Sequence, residues 1–202
     1  MATALQLETS AEAALPIAAT RRVVASQTGK EQYPDQHAIL VAACADRLAR
    51  RLELSHIERR TVVAGALLHD VGKLLVDERI LDKPGPLTSD ERREINGHPI
   101  KGALIVHSAV DPEVVEVVRS HHERWDGDGY PRGLVGREIP LAARIVAVAD
   151  AFLAMLEDRP YREPLSEDEA LQELEDGAGS QFDPRCVDAF VKLIAPRRRK
   201  LS

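Results

Sequence analysis

Two adjacent histidines, His121 and His122, open the segment HHERWDGDGYP, which contains the only tryptophan of the chain and ends at Pro131. Neighbouring imidazoles are costly to bury without hydrogen-bond partners and contribute little to a hydrophobic core. In the loop that follows them, acidic residues alternate with glycine before a Tyr-Pro pair. The two histidines are therefore candidates for ligand binding, together with other polar side chains that the fold brings near them.

A second candidate is the segment LLHDVGK, which contains His69, Asp70 and Lys73. The imidazole offers a neutral nitrogen and the carboxylate an anionic oxygen to a divalent cation, and the two carboxylate oxygens can bridge two cations. Lys73 follows His69 by one helical turn, and its ammonium group suits a phosphate oxygen. The His-Asp dipeptide alone is more typical of a polar helix end than of a metal site.

Asp150 lies within ARIVAVADAFLAML, a predicted helix that is apolar on most of its faces. An unpaired carboxylate in such surroundings costs several kcal/mol or becomes protonated. A buried cation or a polar cleft beside the helix would account for it. The alternative is an ion pair with a structural arginine such as Arg144.

His37 and His98 each admit two interpretations. His37 falls on the apolar stripe of a predicted helix, where a histidine is more often a hydrogen-bonded core residue than a metal ligand. His98 lies in GHPIKG, ahead of a proline, and fits a residue on a helix surface. The occurrence of all these residues in one chain favours a shared site over separate structural roles.

The elements that position these residues are predicted to be helices. His37, Val41, Cys44 and Leu48 are spaced by four, three and four residues, which places them on one helix face. Capping boxes in TSDE and SEDE begin two further helices. The predicted ranges beyond the first helix are about 57–70, 88 onward, 111–122, 139–157, 167–176 and 184–194. No alternating run is long enough for a strand, so the predicted fold class is all-α.

Six segments occur in an order that resembles the HD-GYP family, within the HD superfamily of metal-dependent phosphohydrolases. They are HDVGK, KPGPLT, HPIKG, HHERWDGDGYP, ARIVAVAD and RPYR. The resemblance runs from His37 to Phe190, and HHERWDGDGYP is highly specific. It implies an HD-domain helical bundle with a metal centre in its core.

The resemblance also implies two divalent metal ions and assigns seven side chains to them. The ligands of the first ion would be His37, His69, Asp70 and Asp150. The ligands of the second would be Asp70, His98, His121 and His122, with Asp70 bridging. Such a set suits transition metals better than Mg²⁺ or Ca²⁺, and iron or manganese is expected ahead of zinc, cobalt or nickel. Two such ions about 3.5–4 Å apart can activate water and stabilise an in-line displacement at phosphorus.

By the same resemblance, the expected reaction is hydrolysis of cyclic di-GMP to the linear dinucleotide pGpG and, in some family members, to GMP. Asp70 and Lys73 are the predicted catalytic residues, with the Lys73 ammonium neutralising a phosphate oxygen as charge develops. Substrate contacts are expected from the GDGYP loop and from RPYR, whose arginines suit phosphate and guanine edges. These contacts are Gly129, Tyr130, Arg159 and Arg162.

Two positions depart from the family pattern. Asp128 stands where the family usually has threonine or serine, and Leu153 stands where it often has a second aspartate. An aspartate introduced at position 153 is expected to lie near the metal centre and raise turnover, unless that position is buried. The departures leave two alternatives: a cyclic dinucleotide receptor or docking module with little turnover, and an HD hydrolase for another nucleotide such as cyclic GMP-AMP.

Composition limits the classes of partner. With 202 residues, 44% of them hydrophobic and 30% charged, the chain is long enough for one domain with a sizeable core. Its formal net charge of −6 argues against general DNA or RNA binding, which needs a net basic face. Cys44 and Cys186 form no CxxC pair and are predicted to be buried, reduced thiols.

The two ends of the chain are predicted to lie outside the catalytic domain. Residues 1–30 are expected to be a loose tail or one frayed helix, residues 31–195 the HD-GYP phosphohydrolase domain, and residues 196–202 a basic tail. The N-terminal segment lacks the basic start of a signal peptide, and the longest apolar stretch is too short to span a membrane. We expect a cytoplasmic protein, able to form a homodimer and regulated by a protein partner or by metal availability.

Overall fold

The computed structural model describes residues 11–29, 33–158 and 163–194. Within these ranges it has ten α-helices and no β-strand, which confirms the all-α class. The helices are α1 Ala11–Thr28, α2 Gln36–Arg51, α3 His56–Leu68, α4 Glu78–Leu81, α5 Ser89–Asn96, α6 His98–Val106, α7 Pro112–Ser120, α8 Leu141–Leu156, α9 Glu167–Asp176 and α10 Pro184–Ile194. A short 3-10 helix, Val71–Leu75, follows α3. None of the helices in the described ranges combines the length and apolar character that crossing a membrane requires.

Three of the described α-helices begin with a capping box. In this motif the side chain of the residue before the helix accepts a hydrogen bond from the backbone N–H of the third helical residue, and the side chain of that third residue accepts one from the backbone N–H of the residue before the helix. The predicted boxes of α5 and α9 are formed by Thr88 with Glu91 and by Ser166 with Glu169. Helix α3 begins in the same way at Ser55. Each box satisfies N–H groups that have no partner within the helix. These local bonds set where the three helices begin.

The larger hydrophobic core lies where α2, α3 and α8 pack together, with α9 and α10 also contacting it. The predicted apolar face of α2 is buried there. Phe152 of α8 and Phe190 of α10 meet edge to face with ring centroids 5.0 Å apart. This packing holds α2 beside α8, the helices that carry His37 and Asp150.

A smaller hydrophobic cluster joins α1, α3, α6 and α7. Val24 of α1 is fully buried in it beside Leu68 and Val118. Residues 11–28 therefore form a helix that packs against the rest of the chain, and the prediction for residues 1–10 lies outside the described residues. The Ala- and Thr-rich local sequence does not predict this contact, because the apolar surface that Val24 meets comes from distant helices. The boundaries at residues 30 and 195 stay predictions, and the basic tail 196–202 lies outside the described residues.

Helices α4 and α6 are not predicted by the apolar pattern. Only Gly97 separates α6 from α5, and Pro99 occupies the first turn of α6, where a missing N–H costs nothing. The interpretation of His98 as a surface residue is wrong, because its side chain is buried. A Cβ at Gly72 would lie 2.0 Å from the His98 carbonyl oxygen. Glycine therefore allows the 3-10 helix Val71–Leu75 to cover this end of α6.

Leu153 of α8 is 5% exposed and packs in the larger core, so the exception stated for a buried position applies, and an acid there is not expected to raise turnover. At about 100° per residue, position 153 lies about 60° around the helix axis from Asp150. Ala154 and Glu157 lie within about 40° of Asp150 by the same geometry. These two residues line a cavity together with Asp150. The two cysteines, at positions 44 and 186, are buried free thiols as predicted.

We predict that Leu153→Asp destabilises the fold instead of raising turnover, because it buries a carboxylate among apolar side chains. The expected loss in the free energy of unfolding is about 3 kcal/mol or more, measured by urea denaturation. Ala154→Asp is the matched control, since it places the same acid one residue further along, on the side of the helix that lines the cavity. Equal stability of the two variants would contradict this assignment of helix faces.

Candidate metal centre

The seven side chains that the family resemblance assigns to metal ions converge on one region of the structure. Most of them lie where a helix begins or ends. His37 is in the first turn of α2, His69 follows α3, Asp70 precedes the 3-10 helix, His98 begins α6, His121 and His122 follow α7, and Asp150 lies within α8. The packing of these elements brings together side chains as far as 113 positions apart in the sequence.

The Asp70 carboxylate lies at the centre of this cluster. Its Oδ2 atom is 3.3 Å from His69 Nε2 and 2.6 Å from Lys73 Nζ. Its Oδ1 atom is 3.2 Å from His98 Nε2 and 4.0 Å from His121 Nε2. The two oxygens thus face different histidines, which is the arrangement that a carboxylate bridging two cations requires.

The donor atoms form two groups, each of which could hold a metal ion. The members are His37, His69 and Asp70 in one group and Asp70, His98, His121 and His122 in the other. Within each group the ligand atoms lie within 4.8 Å of one another. Asp150 borders the first group, with its Oδ1 atom 2.9 Å from His37 Nε2 and 3.8 Å from His69 Nε2. Asp70 belongs to both groups, as the predicted bridge requires.

The alternative that pairs Asp150 with Arg144 is wrong. The Arg144 guanidinium instead bonds the carboxylate of Asp183 and the carbonyl oxygen of Ile139. It also lies over the Trp125 ring, 5.6 Å from the centroid. Arg144 therefore ties α8 to the residue that precedes α10, and Asp150 contacts the imidazoles of the cluster.

Backbone carbonyl groups orient three of the imidazoles. The Nδ1 atoms of His69, His98 and His121 lie 2.7, 2.7 and 2.8 Å from the carbonyl oxygens of the residues three positions earlier. A carbonyl oxygen only accepts hydrogen bonds, so each Nδ1 carries the proton and donates it. In the neutral form of each ring the Nε2 lone pair is then available to a cation, which is the usual arrangement of a metal-ligating histidine.

Two atoms at the centre of the cluster, His69 Nε2 and Asp70 Oδ1, are buried and have no hydrogen-bond partner among the described residues. An unpaired buried polar atom costs about 1–3 kcal/mol. A cation held by the first group would satisfy His69 Nε2, and a cation held by the second group would satisfy Asp70 Oδ1. Burial and the neighbouring charge of His98 lower the pKa of His122 to about 4, which keeps its imidazole neutral and able to bind a metal. The residues present therefore fit divalent transition metals.

The loop after His122 is held by Glu123, which the sequence pattern does not single out. The buried Glu123 carboxylate accepts hydrogen bonds from the backbone N–H groups of Arg132, at 2.8 Å, and Leu134, at 3.0 Å. Both donors lie beyond the Tyr-Pro end of the motif. The carboxylate thereby closes the loop onto the turn that carries the two histidines.

Glycine is required at two loop positions for different reasons. Gly127 has a φ of +91°, in the left-handed region that side chains disfavour. At Gly129, a Cβ would lie 2.2 Å from the backbone nitrogen of Arg124. This close packing places Tyr130, whose ring stacks on the His122 imidazole with centroids 4.9 Å apart. Gly129 thus has a packing role, and its contact with a substrate stays a prediction.

A cavity of about 540 Å³ opens onto the cluster and is lined by Lys73 and Tyr130 as well as by several of the proposed ligands. This volume lies within the range of small-molecule sites. Two further residues of its wall, Tyr33 and Glu157, were not assigned to the site by the motif pattern. Only Glu157 has a spacing signal, because it lies about two helical turns after the aspartate of α8. Tyr33 precedes α2, so helical spacing does not predict its position.

The remaining residues singled out in the sequence are Arg159, Arg162 and Asp128. Arg159 and Arg162 lie outside the described residues, so their substrate contacts stay predictions. Asp128 is exposed on the loop, and its backbone N–H donates to the Asp126 carboxylate.

A family model described as HD domain matches residues 5–186 of the chain. The chain belongs to the HD domain family. Among solved structures, Bd1817, an HDG"Y"P protein from Bdellovibrio bacteriovorus, superposes on this HD domain with a TM-score of 0.67. The match covers 89% of this chain and 62% of that chain at 19% identity. The likeness confirms the predicted HD-domain helical fold.

Two curated relatives are closer in sequence. A cyclic di-GMP phosphodiesterase of Thermotoga maritima is 41% identical over 167 residues, which is 81% of this chain and 45% of that protein. The 3'3'-cGAMP-specific phosphodiesterase 3 of Vibrio cholerae is 39% identical over 167 residues, which is 82% of this chain and 36% of that protein. These relatives confirm the resemblance to the HD-GYP group of HD domains. The chain spans less than half the length of the curated relatives it matches.

We predict that Asp70→Asn abolishes binding of both metal ions, whereas His121→Ala removes one of the two. The reason is that Asp70 contacts both groups of histidines, and a neutral amide cannot offer two anionic oxygens. Elemental analysis of protein purified without oxygen measures the metal content. Equal partial losses in the two variants would contradict the bridge, and melting curves in the presence of a chelator control for folding.

Proposed function

We propose that this HD domain is a metal-dependent phosphodiesterase that hydrolyses cyclic di-GMP to the linear dinucleotide pGpG, with GMP as an alternative end product. The observation that carries the proposal is the position of Asp70 beside the cavity. Its two carboxylate oxygens face separate histidines, at 3.3 and 3.2 Å. A pair of cations held in this way could act together on one phosphodiester group.

The proposed cofactors are two ions of iron or manganese, with zinc, cobalt or nickel as alternatives. Imidazole-rich ligand sets favour these metals over Mg²⁺ and Ca²⁺. The proposed ligands are His37, His69, Asp70 and Asp150 for one ion and Asp70, His98, His121 and His122 for the other. When bound, the ions would supply activation of water and neutralisation of charge at the phosphate.

Lys73 and Tyr130 are proposed to act on the substrate from the cavity wall. The Lys73 side chain is 40% exposed, so its ammonium can pair with a phosphate oxygen while it remains near Asp70. The Tyr130 ring, stacked on His122, offers a face to a nucleobase and a hydroxyl to a phosphate. Burial raises the pKa of Tyr130, so the hydroxyl stays a protonated donor.

A second candidate substrate is 3'3'-cyclic GMP-AMP. The support is that a relative named for that dinucleotide is 39% identical to this chain, against 41% and 45% for two of the relatives named for cyclic di-GMP. The two dinucleotides differ in one base, so residues that contact the bases would decide between them. The metal centre would serve both, because it acts on the phosphodiester.

The proposed compartment is the cytoplasm, and the proposed partner is the cyclic dinucleotide. Two buried free cysteines suit a reducing environment. The net charge of −6 argues against binding of a DNA or RNA polymer, whereas a small anionic ligand needs only a local basic site. A regulatory protein partner and a homodimer stay predictions.

We predict that protein reconstituted without oxygen with Fe(II) or Mn(II) converts cyclic di-GMP to pGpG, and that Asp70→Asn does not. Ion-exchange chromatography of the products measures the conversion, with 3'3'-cyclic GMP-AMP tested in parallel. Faster cleavage of cyclic GMP-AMP would favour the second candidate. Binding of both dinucleotides by metal-loaded protein without cleavage would contradict the enzyme and indicate a receptor.

We also predict that Arg159→Ala and Arg162→Ala each raise KM for the dinucleotide without changing metal content. A lost charged hydrogen bond of about 1.4 kcal/mol or more corresponds to at least a tenfold increase, and guanidinium groups do not ligate cations. Arg137→Ala is the matched control, because Arg137 is exposed and outside the cavity wall. An unchanged KM in both variants would remove the two arginines from the site.

A further inference from the structure

We propose that Glu157 is a positioning residue of the first metal site, whose carboxylate orients His37 so that Nε2 faces the ion. The Glu157 Oε1 atom lies 2.7 Å from His37 Nδ1, and Glu157 lines the same cavity as the proposed ligands. The inference rests on the proposed metal pair. It adds to the site a carboxylate that belongs to neither of the two groups of donor atoms.

His37 needs such a partner because its own helix does not provide one. The other three oriented histidines each donate an Nδ1–H to the carbonyl group three residues earlier. His37 lies one residue after Gln36, where α2 begins, and the position three residues earlier is Pro34, outside the helix. The acceptor for the His37 ring comes instead from Glu157, 120 positions away in the sequence.

Helix α8 delivers both carboxylates that contact His37. Asp150 and Glu157 are seven residues apart, which is close to two helical turns, so they lie on the same side of the helix. The backbone N–H of Glu157 still donates to the Leu153 carbonyl oxygen, which fixes its position at the end of α8.

The His37 ring is therefore held at both nitrogens. Its Nε2 is 2.9 Å from Asp150 Oδ1, and its Nδ1 is 2.7 Å from Glu157 Oε1. When a cation occupies the Nε2 side, the contact at Nδ1 remains to set the plane of the ring. A carboxylate in this position orients a histidine ligand toward the metal.

The test is Mn(II) binding, followed by electron paramagnetic resonance, in the His121→Ala background, where only the first ion is expected. Glu157→Ala should weaken this binding about tenfold or more, the loss typical for a residue that orients a metal ligand. Glu157→Gln keeps an acceptor oxygen at the same reach and should retain most of the affinity. Glu157→Asp keeps the charge but is one methylene shorter, and should bind as weakly as Glu157→Ala.

Two results would overturn the proposal. Affinity unchanged in Glu157→Ala would remove the residue from the site. If Glu157→Asp kept its Mn(II) affinity and Glu157→Gln lost it, the negative charge of residue 157 would matter and its positioning of the His37 ring would not.

The control is Glu157→Ala in the His37→Ala background, where the histidine is absent and only the second ion is expected. No further change in Mn(II) affinity is expected there, because the two substitutions act through one contact. Weaker binding of the second ion would show that Glu157→Ala disturbs the structure of the site in general, and it would overturn the proposal. Absence of Mn(II) binding by the wild-type protein would instead contradict the proposed function, so the two failures are distinguishable.

Discussion

The close contact between the 3-10 helix Val71–Leu75 and helix α6 is the constraint on which the site depends. At Gly72, a Cβ would lie 2.0 Å from the His98 carbonyl oxygen and 2.6 Å from the Gly102 nitrogen. Asp70 directly precedes this 3-10 helix, so the contact sets the distance between its carboxylate and the histidine that begins α6. A side chain at position 72 would force the two backbones apart, and the carboxylate would no longer lie between its two groups of histidines.

The cluster around Asp70 would be a poor core without a ligand. It buries imidazoles and carboxylates together, and it leaves His69 Nε2 and Asp70 Oδ1 without hydrogen-bond partners among the described residues. The surrounding packing tolerates this because both hydrophobic clusters lie beside the site and hold its helices in place. Buried polar groups without partners, held in place by a well-packed scaffold, are typical of functional sites.

Two acids that the motif pattern does not assign to the metals support the groups that it does assign. Glu123 accepts two backbone N–H groups and so holds the loop that stacks Tyr130 on His122. Glu157, at the end of α8, accepts the Nδ1–H of His37. The geometry of the ligands therefore depends on a surrounding layer of carboxylates as well as on the ligands themselves.

The sequence by itself determined the all-α class, most helix positions and the identity of the residues that converge at the site. Periodicity and capping boxes act within one or two helical turns, so α2, α5 and α9 were predictable, and the motifs identified the histidines and aspartates. Only the tertiary structure decided that Leu153 faces the core, that Arg144 pairs with Asp183, and that Glu157 reaches a histidine 120 positions away. These facts depend on which helix faces pack together. Residues three or four positions apart on α8 differ little in local pattern, yet packing puts one in the core and another on the cavity wall.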